Sequence, residues 1–211
     1  WIDPTRSSIY VHPKNPELVT IPWMRDAIIA ELVPTQWGGI VEAYLCLMRA
    51  AMNDKDNIKF IVVSESCIPI KTFNEFYTDM MKFPEKSMIR QMRISKYDRQ
   101  ERINHGDFSF IKHYARFCLS RVHVSRLLLV PFAQRKFFYD MHVGDEFFLT
   151  LLFPADGKNK GDVINFAVTF DNWGAIQHDI NVINAKIKVL YEKSATPDMS
   201  AINILRETKG R

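Results

Sequence analysis

Glu146 is the carboxylate best placed for chemistry in this chain. It stands in the run Gly144-Asp145-Glu146-Phe147-Phe148-Leu149-Thr150-Leu151-Leu152, which reads as a helix from Glu146 to Phe153 opened by Gly144 and Asp145. The positive amino end of a helix favours an ionised carboxylate, and an ionised carboxylate suits a general base at neutral pH. The same position equally fits a glutamate that only complements the helix dipole, and composition alone favours that second reading. Asp145 does not supply a partner acid. Adjacent helical residues diverge, so the two make a poor facing pair.

Other candidates are weaker. Asp54-Lys55-Asp56 is the only Asp-x-Asp, a pattern that can hold a divalent ion against phosphates. It precedes an expected strand, however, and so lies at the wrong end of a sheet for a ligand; a solvated turn is the better reading. The histidines His12, His105, His113, His123, His142 and His178 show no close metal-ligand spacing. Phe108, Phe110, Tyr114 and Phe117 could form a sugar platform or a core. Lys186, Lys188, Lys193, Arg206, Lys209 and Arg211 could meet a diphosphate or line a solvated face. Dinucleotide, P-loop, zincin and serine-hydrolase motifs are absent from the sequence.

The elements that must position these residues alternate. Ser8–His12 is a short β-prone run stopped by Pro13. Ile21–Val33 mixes a short helix with an extended end. Gly38–Met52 places Ile40, Val41, Tyr44, Leu47, Met48 and Ala51 on one helical face. Phe60–Val63, apolar on both faces, reads as a central strand of a parallel sheet. Thr72 caps a helix through Met81. Met88–Ile94 reads as a strand, Lys96–Gly106 as a loop, and Phe108–Leu119 as extended. Ser120 caps a helix over Arg121–Val130. Val163–Phe170 alternates as a strand does, and residues 178–193 favour helix. This order predicts an α/β fold with a mostly parallel central sheet flanked by helices. Ligands of such sheets bind beyond the strand carboxyl ends, which marks His12, Ser64–Glu65–Ser66 and Asn172–Trp173 as rim residues.

Length and composition agree with a single folded domain. The chain has 211 residues, 47% of them hydrophobic and 25% charged, with 28 Lys+Arg against 24 Asp+Glu. That is too apolar for disorder and shows no basic stripe of a nucleic-acid binder. No apolar run approaches the roughly 20 residues of a membrane span. Cys46, Cys67 and Cys118 lack metal-finger or disulfide spacing and read as buried free thiols, in keeping with a reducing compartment.

Six blocks occur in order: IYVH, QWGGIVEAYLCLMRAA, KFIVVSESCIPIKTFNEFY, ARFCLSR, GDEFFLTLL and VTFDNW. Together they resemble the core-2/I-branching glycosyltransferase family, which includes β-1,6-N-acetylglucosaminyltransferases and peptide xylosyltransferases as well as plant and viral relatives. SESCIPIKTF is the most specific string. The resemblance implies a nucleotide-sugar fold of the GT-A type, with the nucleotide held by about residues 1–95 and the acceptor by about 96–211. It implies an inverting transfer from a UDP-sugar to a glycan or glycoprotein hydroxyl, forming a β-linkage without a metal or other cofactor.

By the same resemblance, Glu146 is the base that takes the acceptor proton. Tyr10, Val11 and His12 form the strand end that contacts the nucleotide. Glu65 lies near donor and acceptor. Lys112–Phe117 matches the acceptor-side segment, with His113 and Tyr114 replacing the family's Gly-Ser pair; these two and Trp173 would meet the acceptor. The diphosphate-binding Arg expected before the late strand falls at Asn165 or Phe166, neither basic, and a later basic residue maps onto Arg206 or Lys209. No membrane segment or nucleic-acid partner is expected. The protein is expected to be soluble or cytoplasmic, in a virus or a microbe, or in the Golgi lumen if an anchor has been removed. Two alternatives stay open: a metal-dependent enzyme of the same fold using Glu65 or the Asp54 turn, and a non-catalytic carbohydrate-binding module.

Overall fold

The structure is a computed structural model that describes residues 2–64, 67, 69–92, 111–141, 143–153 and 160–169. Readings on Glu65, Trp173, Arg206, Lys209, the 96–106 loop, the 178–193 helix and the carboxyl-terminal basic set fall outside these residues.

The helices follow local sequence closely. A short helix α1 (Pro22–Asp26) starts at a proline, whose fixed φ suits a first turn. The chain then runs extended, with Ile28 bridging Val11 in parallel. Helix α2 (Val41–Met52) begins three residues later than expected, because Gly38 adopts φ 73° in a turn bridged between Gln36 and Gly39. Its buried surface is wider than one face: Ala43, Leu45 and Cys46 are buried beside Val41, Tyr44, Met48 and Ala51. Helix α3 (Phe73–Met81) carries the expected cap as a reciprocal box. The Glu75 N–H donates to Thr72 Oγ1 at 3.3 Å, and the Thr72 N–H donates to Glu75 Oε2 at 3.0 Å. Arg6 secures the amino-terminal segment on α3, lying over the Phe73 and Tyr77 rings at 4.8 and 4.9 Å.

The sheet corrects the expectation of mostly parallel strands. Strands β1 (Lys59–Ile61), β2 (Ser87–Met88), β5 (Cys118–Ser120) and β6 (Val163–Ile164) make a four-stranded sheet in the order β1-β5-β2-β6. β5 runs antiparallel to both β1 and β2, and only β2 and β6 are parallel. The run at Phe60 is therefore an edge of the described sheet, with Phe60 alone buried in β1. A doubly apolar strand suits burial on both faces but carries no information on the direction of its partner. Ser8–His12 likewise contributes one isolated bridge instead of a strand.

Met88–Ile94 splits at Ile89 and Arg90. Ile89 still donates to Ile164 in the four-stranded sheet, while β3 (Gln91–Met92) leaves it to pair antiparallel with β4 (Lys112–His113). Helix α4 (Arg121–Leu129) starts at Ser120 as expected, but Ser120 does not cap it; its N–H and hydroxyl engage the Ser87 hydroxyl. Helix α5 (Phe132–Asp140) follows directly after Pro131 and was not foreseen, since it buries only Phe138 and shows little periodicity.

The core lies where α2, α4, α5 and the 147–153 segment meet. Phe117, Phe138, Phe147, Phe148, Leu45, Leu119, Leu127, Leu149 and Leu152 are each under 2% exposed. Full burial of such side chains contributes about 1.5–3 kcal/mol each. Tyr44, His113, Phe117 and Phe148 stack around one another with ring centroids 5.6–5.8 Å apart. Cys46 and Cys118 are buried thiols and Cys67 is half-buried. No helix among the described residues is long and apolar enough to cross a membrane.

Candidate functional site

The expected helix at Glu146 is two consecutive 3₁₀ segments, Gly144–Glu146 and Phe148–Leu152. Phe147, Phe148, Leu149, Thr150 and Leu152 are all buried, so the segment is held by packing on every side and not by one amphipathic face. Asp145 and Glu146 remain half-exposed at its start. Gly144 is required there. A Cβ on it would lie 1.7 Å from the carbonyl oxygen of Phe138 in α5, so the turn presses directly on that backbone.

A three-residue 3₁₀ turn has little macrodipole, since few peptide dipoles align. The electrostatic support for Glu146 comes instead from a side chain. Lys112 Nζ lies 3.2 Å from Glu146 Oε2; the lysine side chain is 16% exposed and the glutamate 32%. The same ammonium sits 5.6 Å from the centroid of the Phe147 ring. Asp145 is in a different state. Burial, and then the charge of neighbouring Glu146, push its carboxyl up to about 6, with Arg116 acting in the opposite sense. Its Oδ1 is buried with no hydrogen-bond partner among the described residues. Its N–H points at the Gly38 carbonyl at 3.4 Å, which brings the Gln36–Gly39 turn and the exposed Trp37 to this edge.

Cations and helices frame the pair. Arg116 faces Asp145 and the Tyr44 hydroxyl, whose acidity burial suppresses. Helix α5 is tied to α2 through Glu42, which accepts from Arg49 at 2.9 Å and from the Tyr139 hydroxyl, with Arg135 at 3.7 Å. Burial would raise the Glu42 carboxyl, but Tyr139, Arg49 and Arg135 outweigh it and hold the group below its usual range.

The expected site residues are only partly brought together. The structure joins Glu146 to the 112–116 segment. His113, expected at the acceptor, is fully buried: its Nδ1 donates to the Tyr114 carbonyl at 2.8 Å and its Nε2 accepts from the Leu149 N–H at 3.4 Å. That tautomer is neutral, and burial lowers the imidazole to about 4. Its position is structural, because a ring bonded at both nitrogens in the core has no free edge for a sugar. Tyr114 beside it is half-exposed. Tyr10 accepts from Asn57 Nδ2 at 3.1 Å, Val11 pairs with Ala27 and Ile29, and His12 Nε2 accepts from the Val33 N–H at 3.0 Å. Asp54 forms its own turn, Oδ1 accepting from the Asp56 N–H at 3.0 Å.

The sequence marks neither Lys112 nor Arg116 individually, and marks Asp145 only as a poor partner acid for Glu146. Lys112 and Arg116 lay inside a matched segment, but nothing in their local spacing pointed to the acids they face. Residues 6–205 match the family described as Core-2/I-Branching enzyme. No curated protein matches the chain.

Proposed function

The chain belongs to the Core-2/I-branching enzyme family and is therefore a glycosyltransferase; from that premise we propose that it is an inverting, metal-independent one, moving a sugar from a UDP-sugar to a glycan hydroxyl with Glu146 as general base. The observation that carries this reading is a glutamate left half-exposed at the start of a segment whose Phe147–Thr150 run is buried, with a lysine 3.2 Å from one of its oxygens.

Such a reaction needs one carboxylate. The acceptor oxygen attacks the anomeric carbon, the bond to the diphosphate oxygen breaks on the opposite face, and the acceptor proton passes to Glu146. The departing UDP gains negative charge. Without a metal, fixed cations stabilise it, an effect worth several kcal/mol in the transition state. Arg206 and Lys209 remain the proposed diphosphate contacts, Tyr10–His12 the nucleotide contacts, and Glu65, Tyr114 and Trp173 the acceptor contacts. The GT-A type of fold belongs to the same proposal, with the Val11–Ile28 bridge and the β2–β6 pair as its parallel elements.

The test is transfer by wild type and Glu146→Gln with a panel of UDP-sugars, with and without EDTA, alongside thermal shifts with UDP. The expected result is transfer by wild type in EDTA, transfer at least about a hundredfold slower by the variant, and equal UDP stabilisation of both. Saturation at 100 times the dissociation constant adds about 2.7 kcal/mol. Transfer by Glu146→Gln within about tenfold of wild type removes the mechanism. Activity lost in EDTA and restored by manganese replaces it with a metal-dependent one.

A further inference from the structure

We infer that Lys112 is the positioning residue for Glu146, holding one carboxylate oxygen so that the other is presented to the acceptor hydroxyl. The inference rests on the reading of Glu146 as the base. Three observations carry it. The first is the ion pair itself, Nζ to Oε2 at 3.2 Å, with the lysine side chain largely buried. A partly desolvated pair of this kind is less screened than a surface one.

The second is how the pair is built. Lys112 lies between two residues bolted to the segment that follows Glu146. On one side, the Ile111 N–H donates to Thr150 Oγ1 at 3.0 Å, and that hydroxyl faces the Ile111 carbonyl at 3.4 Å. On the other, the Leu149 N–H donates to His113 Nε2. Thr150 and His113 are both 0% exposed. Two buried polar side chains thus fix the spacing between β4 and the acid-bearing turn. Alternation along the strand places Ile111 and His113 on one face and Lys112 on the other. Burying polar groups costs stability unless they are paired, so this clamp serves register, not bulk packing.

The third is the second contact of the ammonium, with the Phe147 ring at 5.6 Å. An ammonium held by both a ring face and a carboxylate is restrained in direction as well as distance. A general base misplaced by about 1 Å can lose about a hundredfold in rate.

The experiment compares wild type, Lys112→Met, Lys112→Arg, Glu146→Gln and the double variant Lys112→Met/Glu146→Gln. Transfer kinetics, melting temperature and UDP thermal shift are read for each. In Lys112→Met, kcat should fall by about ten- to a hundredfold, with the KM for the UDP-sugar and the UDP shift unchanged. Lys112→Arg should recover most of the loss. In the double variant the lysine change should add nothing to the residual rate of Glu146→Gln. An unchanged kcat in Lys112→Met overturns the inference, and so does a raised donor KM with kcat preserved, which would make Lys112 a donor contact. If Lys112→Met does not fold, Lys112→Arg and Lys112→Gln decide by the same kcat comparison. Inactive Glu146→Gln with normal Lys112→Met rejects only this inference, whereas active Glu146→Gln rejects the base itself.

Discussion

Two tight turns in this protein each carry two acidic groups close in sequence, and their fates differ. At Asp54-Lys55-Asp56 one acid is held by the turn's own backbone and the other, Asp56, is exposed. Asp54 accepts from the N–H of Asp56 and is approached by the Ser8 hydroxyl at 3.4 Å. The guanidinium of Arg121 grips the carbonyls of Met52, Asp54 and Asn57 at 2.8–2.9 Å, which satisfies the end of α2. At Gly144-Asp145-Glu146 the turn supplies less: Asp145 is helped only by its own N–H, and its Oδ1 has no hydrogen-bond partner among the described residues. The Glu146 carboxylate takes its partner, Lys112, from β4, while α5 and the Gln36–Gly39 turn pack against the backbone of the same turn. An acid that its own turn has satisfied is a structural element. An acid whose partners come from elsewhere can be aimed and tuned by them, which is the condition for chemistry.

Substitutions can test that contrast. The largest effect is expected at Glu146. Losing a general base removes about 10²–10⁴ in rate, measured as kcat/KM for transfer, and a loss under tenfold would contradict its assignment.

Gly144→Ala comes next. Its Cβ meets backbone, not a yielding side chain, so the expected loss is at the upper end of the roughly 1–3 kcal/mol of overpacking, or beyond it. Chemical denaturation measures this, and a near-neutral result would mean that the turn does not press on α5.

Asp145→Asn is expected to stabilise, in a pH-dependent way. The native carboxyl titrates near 6 and the unfolded one near 3.8, so between those values the native state binds more protons and stability falls as pH rises. The penalty is complete above about pH 6. It is about 1 kcal/mol once solvent screening is allowed for. Relative to wild type, Asp145→Asn should melt roughly 2–4 °C higher at pH 7, with the gain vanishing near pH 4. A gain that is flat with pH would rule out the carboxyl as its source.

The smallest effect is expected from Asp56→Asn, whose exposed side chain should shift stability by less than about 0.5 kcal/mol and leave transfer intact. A large activity loss there would erase the difference between the two turns.

Much of the scaffold was legible locally. The helical spacing of α2 and the Thr72 cap of α3 involve residues within one or two helical turns; the structure has both the helix and the cap, although α2 buries Ala43, Leu45 and Cys46 beyond the expected face. The Ser120 cap failed because a residue distant in sequence, Ser87, took its hydroxyl and N–H. The parallel sheet failed because Phe60–Val63 reports burial and β preference but not orientation, which Cys118–Ser120 decides by pairing antiparallel. The helix at Glu146 failed because a segment buried on all sides follows the shape of its surroundings more than its own periodicity.

Read alone, the chain of residues determined the family, through the order of its blocks, and singled out Glu146 as an acid at the mouth of an apolar run. It also determined the amphipathic helices, since those depend on neighbours three or four positions away. Only the tertiary structure decided which cation faces that acid, which imidazole is a bolt and which carboxyl resists ionisation. Those outcomes depend on distance and exclusion of water between segments far apart along the chain, and the Coulomb and desolvation energies that set them exist only once the segments are packed together.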